Sequence, residues 1–268
     1  MSFQRYPLST LQKVSQYVRS VLTVPAGYGK AATAIDADAD FTPDSLDSLG
    51  DLFRLGDLPE DHLPAPNQEG RWYLSTLDGA DALNKLPGLW LKPGIRLVTY
   101  LQQQPDAGQG LTWAVPELLS TTEYLESAIA QANQTNQPPR PSGALPSVMG
   151  ALEGDGSLAS FLASSVFLRE IREFGRYGKN TRWSHHRFVS DIPSKVDWQW
   201  RTQLPKDFAP KVVTLPDEQI VVEFFSCRTV PPIALFRHVD RYQPNSYQPQ
   251  NTDQVIAVMA SKSAPTRS

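Results

Sequence analysis

The chain has 268 residues, a net charge of −3, 23 prolines and one cysteine. A single cysteine excludes an internal disulfide and any cysteine-built zinc site, and so small a net charge names no partner. No stretch approaches roughly 18 consecutive apolar residues, and the opening MSFQRYPLSTLQ lacks the apolar core of a secretory signal, so a soluble cytoplasmic protein without a membrane span is expected.

Ser9 or Thr10 is placed to cap a helix running to Leu22, with Leu11, Val14, Val18, Val21 and Leu22 as its apolar stripe. The Gly29-Lys30 pair resembles a phosphate loop, but that loop needs a glycine at position 24 and a Ser or Thr at position 31, where Val24 and Ala31 stand. Asp36, Asp38 and Asp40 open like a calcium loop, yet its glycine and its closing glutamate are replaced by Phe41 and Asp47. This stretch reads better as a solvated acidic segment leading to a brief helix over 46–55. Residues 1–69 are therefore expected to be an acidic, proline-rich extension with short helices, and 70–260 a single body.

In that body, 71–77 is predicted as a strand and 78–86 as a helical turn. Ile95 to Gln103 and Leu111 to Val115 form a predicted hairpin, closed by a turn over 105–110. A helix follows from Glu123 to Ala132, capped by Thr121 or Thr122. Residues 133–156 are rich in Asn, Gln, Pro, Ser and Gly and read as a mobile linker. Ser157 to Tyr177 is the longest predicted helix, apolar nearly all round in its first half. Short strands are expected at 188–189, 196–201 and 211–215.

The stretch QIVVEFFSCRTVPPIALFRHVDRY, Gln219 to Tyr242, is the most strongly specified hairpin. A loop over 228–232 pairs Glu223 with Arg237, Phe224 with Phe236 and Val222 with His238, and both apolar faces require a cover. The twelve residues after Tyr242 read as loop, 255–259 as an edge strand and 261–268 as a disordered tail. Strands arriving in antiparallel groups, with helices between the groups, make an α+β fold: hairpins at 95–115 and 219–242 packed by the helix 157–177.

Four constellations bear on function. From 31 to 70 ten carboxylates stand against Arg54, whereas 169–187 carries Arg169, Arg172, Arg176, Lys179, Arg182 and Arg187 against Glu170 and Glu173. The basic set, with Tyr177, Trp183 and Phe188 interleaved, is the candidate partner-binding stripe, suited to an acidic protein partner or to the chain's own acidic segment. It also has the look of a nucleic-acid footprint, against which the pI of about 5.8 counts. His238 and Asp240, two residues apart on one strand face, are the candidate catalytic pair. His185 and His186 point to opposite faces if they lie on a strand, so no metal site is expected from them. Cys227 ends a buried strand and no G-x-S-x-G elbow occurs, so no nucleophile stands out. Trp198 and Trp200 share a strand face, and the six tryptophans either line a pocket or fill a core. The resulting expectation is a non-catalytic protein without cofactor, an assembly or regulatory factor that binds a macromolecular partner through the basic helix face and the proline-rich loops. An enzyme or small-ligand binder around His238 is the alternative, and nucleic-acid binding comes third.

Overall fold

The structure is a computed structural model that describes residues 2–23, 70–194 and 196–260. The Gly29-Lys30 and Asp36-to-Asp47 motifs, the predicted helix over 46–55, the ten carboxylates' segment up to Glu69 and the tail 261–268 lie outside the described residues.

The architecture is α+β with antiparallel sheets. The strand β11 (Ile220–Arg228) lies at its centre. Along one edge it pairs end to end with β10 (Lys211–Thr214) and β8 (His186–Val189); along the other it pairs with β12 (Ala234–Tyr242). The sheet continues through β13 (Pro249–Met259) to β9 (Trp198–Trp200), and on its far side β10 carries β1 (Phe3–Arg5). A second sheet has the order β2 (Trp72–Leu74), β4 (Ile95–Gln104), β5 (Ala107–Pro116), β7 (Tyr177–Gly178). A small third sheet pairs β3 (Leu89–Leu91) with β6 (Leu152–Gly154).

Three helices complete the described fold: α1 (Leu8–Val21), α2 (Thr122–Thr135) and α3 (Leu158–Glu173). The main core packs α1 and α3 between the two large sheets, with Leu11, Val18, Leu162, Val166 and Phe167 against Val212, Val222, Phe224 and Leu97. The opposite face of β4 and β5 buries Val98, Tyr100 and Val115 under Leu125 and Ala128 of α2. The opposite face of the β11–β12 hairpin buries Phe225, Cys227 and Leu235 against Phe208 and Ile256, with Trp198 and Trp200 packed alongside. Both faces of the hairpin are thus covered, as its apolar alternation requires.

The hairpin register differs from the expected one by two residues. Phe224 stands opposite His238, not Phe236, and Val222 opposite Asp240, because the loop is 229–233. A shift of two leaves every side chain on its face, whereas a shift of one would not. Glu223 therefore still reaches Arg237, now diagonally, with Oε2 to Nη2 at 3.1 Å, and also takes Lys211 at 3.2 Å.

Other boundaries differ as well, beginning with the turn expected over 105–110, of which Ala107 to Gly110 are strand paired with β4. The helix expected over 157–177 stops at Glu173, and Gly175 turns the chain at φ +76 so that Tyr177 and Gly178 join β5. The part of β13 expected as an edge also pairs with β9 over 257–259, and the segment 249–254 is strand, not loop. Its polar residues stand in solvent, which hid the alternation. The stretch read as a linker is packed: Met149, Ala151 and Leu152 enter the main core, Leu145 N–H donates to Ala114 O at 2.9 Å, and the Trp113 indole donates to Pro139 O at 2.9 Å. Residues 2–22 belong to the body rather than to an extension, since β1 extends the main sheet and Leu11 and Val18 lie in its core.

The turn from α3 into β7 explains a glycine. A Cβ on Gly110 would meet the Phe174 carbonyl oxygen at 2.0 Å, and backbone cannot yield there. Gly110→Ala is expected to destabilise the protein by about 1–3 kcal/mol, read as a lowered urea midpoint with an unchanged slope.

Candidate functional site

Helix α3 is buried on all sides from Ser160 to Ile171, and its polar residues must find partners there. Arg169 is only 5 % exposed. Its Nη1 donates to Asp240 Oδ2 at 2.7 Å and to Ser165 O, one turn back, at 2.8 Å. Its Nη2 donates to Asp240 Oδ1 at 3.0 Å and to Asp253 Oδ1 at 2.7 Å. The guanidinium lies 4.8 Å from the Phe224 ring centroid. A fork held this way by one carboxylate and shared with a second is a strong, geometry-specific pairing.

The cluster continues along the sheet. Asp253 Oδ1 lies 2.6 Å from His238 Nδ1, His238 Nε2 lies 2.7 Å from Ser226 Oγ, and Ser226 Oγ lies 2.8 Å from His186 Nδ1. Burial pushes the His238 imidazole down; the hydrogen bond to Asp253 opposes that and Arg169 reinforces it. Burial likewise pushes His186 down to about 4, helped by the charges of His238, Arg228 and Arg169 and opposed by Asp253. Both rings are therefore neutral near pH 7, and the network assigns each hydrogen. His186 Nδ1–H donates to Ser226, the Ser226 hydroxyl donates to His238 Nε2, and His238 Nδ1–H donates to Asp253. Burial raises the Asp253 pKa, but the bond from His238 and the charge of Arg169 outweigh it and hold the carboxyl well below its usual range.

The next residue of α3 anchors a second cluster. Buried Glu170 accepts from the Ser15 hydroxyl at 2.5 Å and the Trp183 indole at 2.9 Å through Oε1, and from Arg19 Nε at 2.8 Å through Oε2. It ties α1 to α3.

Asp253, His238 and Ser226 have the connectivity of a hydrolytic triad. Two features set them apart from one. Ser226 is fully buried, in the part of β11 that is paired on both sides. Its oxygen also accepts from His186, which occupies the lone pair facing away from His238. The arrangement satisfies buried polar groups and holds β8, β11, β12 and β13 against α3.

The residues expected to carry function separate into two groups. His238 and Asp240 do share a face, but the carboxylate that meets His238 is Asp253, while Asp240 belongs to Arg169. Arg169 leaves the basic stripe for the interior. Arg172, Lys179, Arg182 and Arg187 are exposed and Arg176 is half-buried. Asp253, Ser226 and Glu170 were not singled out as site residues from the sequence, and His186 was weighed only as a metal ligand. The extension of β13 to Pro249 would have found Asp253, because it is the direct register partner of His238. Cys227 is buried, and burial raises its thiol pKa. Among the described residues no three His, Cys, Asp or Glu side chains gather as a metal site, and no helix is long and apolar enough to cross a membrane.

No protein-family model, no curated protein and no solved structure matches this chain.

Two outcomes follow from the buried cluster. Arg169→Ala leaves Asp240 charged and unpaired in the interior and is expected to cost about 3–5 kcal/mol in chemical denaturation. His186 and His238 bind protons less readily in the folded than in the unfolded chain, where a histidine titrates near about 6.5. Stability is therefore complete above that pH, falls as pH drops towards about 4, and falls further as Asp253 is protonated below the ordinary carboxylate range. His186→Gln keeps a donor to Ser226 but does not titrate, so its melting temperature should fall less between these two pH values than that of the parent chain.

Proposed function

We propose that this chain is a non-catalytic cytoplasmic protein that binds an acidic macromolecular partner through the basic surface following α3. One observation carries the reading. Among the described residues Arg172, Arg176, Lys179, Arg182 and Arg187 make no ion pair, although they crowd into a short stretch. The acid closest to them in sequence, Glu173, is spent on the backbone: its Oε1 accepts from the N–H groups of Arg182 at 2.7 Å and Ser184 at 3.3 Å. Arg172 has only the neutral side chain of Asn251 at 3.5 Å. Cations left without counter-charge present a field that selects an anionic surface and speeds its encounter.

The triple reversal Arg172→Glu, Lys179→Glu, Arg182→Glu tests this, since all three side chains are exposed and their replacement leaves the core intact. Poly-glutamate should bind the parent chain in a salt-dependent manner and the variant at least about tenfold more weakly. Equal binding by the two proteins removes the proposal. Tighter salt-dependent binding of a single-stranded oligonucleotide than of poly-glutamate transfers the surface to nucleic acid.

The chain from Ser226 through His238 to Asp253 favours a second reading, an enzyme acting by acyl transfer at Ser226. A fluorophosphonate probe decides between the two. Labelling lost in Ser226→Ala establishes the nucleophile; absence of labelling with the chain folded excludes it.

A further inference from the structure

A cleft of about 400 Å³ opens where four separate parts of the chain converge, away from the residues discussed above. Trp90 comes from β3, Glu153 and Asp155 from the end of β6, Glu218 from the turn between β10 and β11, and Asn245 from the loop between β12 and β13. The size falls within the range of small-ligand sites.

Its floor is fixed by packing. The Tyr247 ring stacks on Phe161 with centroids 4.5 Å apart, and the Tyr247 hydroxyl accepts from Gly156 N–H at 3.0 Å. Among the described residues nothing covers its wall. Trp90 is 44 % exposed, whereas the other five tryptophans are buried or half-buried. Trp90 and Glu153 are direct cross-strand partners, so the indole and a carboxylate stand side by side on one face. Two of the three described non-glycine residues with left-handed backbone border this cleft, Glu218 at φ +63 and Asn245 at φ +58; the third, Asn136, ends α2. Such conformations carry a cost in side-chain-bearing residues and cluster where a site needs a particular side chain at a turn.

The charge of the lining is one-sided. Glu153, Asp155 and Glu218 are exposed, and among the described residues no lysine or arginine lines the cleft. Hydrogen bonds from Ser157 lower the Asp155 pKa and keep that carboxylate ionised. An aromatic face beside several carboxylates, with no base between them, attracts a cation both through the ring quadrupole and through charge.

We propose that this cleft binds an organic cation, an alkylammonium group laid on the Trp90 indole and neutralised by Glu153, Asp155 and Glu218. The site shares no residue with the basic surface and takes a ligand of the opposite charge. It stands whether or not that surface binds an acidic partner. The same group occurs on free amines and on lysine side chains, and the experiment separates these sources.

The isotope-labelled full chain is titrated with choline, with the neutral carbon isostere of choline, with glucose and with a lysine-bearing peptide, while the indole N–H resonances are followed. Trp90→Phe identifies the Trp90 signal. Choline is expected to move that signal and to bind about tenfold more tightly than its isostere. Glu153→Gln together with Glu218→Gln should weaken choline severalfold, leaving the isostere and the melting temperature unchanged. A tighter response to the peptide than to choline assigns the site to lysine side chains, and the reverse assigns it to free amines. Equal affinity for choline and the isostere in the parent chain, preference for glucose, or a Trp90 signal unmoved at about 10 mM choline would overturn the proposal. The comparison of choline with its isostere needs no variant, so it holds even if a substitution disturbs folding.

Discussion

The grip of Arg169 on Asp240 is the interaction on which the seating of α3 against the main sheet depends. It joins the C-terminal half of α3 to the C-terminal half of β12, and through Asp253 it reaches β13. Taking a guanidinium and a carboxylate out of water costs several kcal/mol per ion, so the pair adds little net stability over apolar residues of the same shape. Its effect is on placement. A forked donor accepts its carboxylate in one orientation, and any slide of the helix along the sheet would leave two buried charges apart. With His238 neutral, one cation faces two carboxylates. The surplus negative charge is tolerable because Asp253 has a side chain 42 % exposed and can pass it to water, while Asp240 has none of its side chain in contact with solvent.

The neighbouring residues of α3 follow the same logic. Glu170 fixes α1 and Trp183 as Arg169 fixes the sheet, so two successive side chains of one helix clamp structures on different sides of it. Ser160, Ser164 and Ser165 are fully buried and small, which lets α3 approach its neighbours closely. All three hydroxyls are met by tyrosines, Ser160 by Tyr247 at 2.6 Å, Ser165 by Tyr242 at 2.8 Å and Ser164 by the same Tyr242 at 3.4 Å. The helix is thus central without being a plain apolar rod.

What could be read from the sequence was set by periodicity. The two long hairpins declared themselves through β-branched and aromatic runs, and so did the apolar stripe of α1. The face carrying His238 and Asp240 was legible because alternation survives a two-residue shift of register. Residues 249–254 were not legible, since a strand whose side chains stand in water has no apolar alternation to show. Without that strand Asp253 had no address, and a basic stripe drawn on a helical wheel could not reveal that Arg169 turns inward. A wheel gives the angle between residues, not which side of the helix the rest of the chain covers. The packed crossing over 133–156 was concealed likewise, because its Asn, Gln and Pro content resembles a linker while Met149, Ala151 and Leu152 do the packing.

The pairing of β1 with β10 brings residues 3–5 beside residues 211–213, and α1 lies against a helix that begins near residue 158. During synthesis α1 therefore emerges with its greasy stripe uncovered; it meets the turn around Asp81 first, whereas α3 and β10 arrive only after much more of the chain has followed. Contacts so remote along the chain slow folding, and the delay leaves an exposed amphipathic segment open to chaperones or to a second nascent copy. A helix that leaves the ribosome well before its partners is thus among the last to settle.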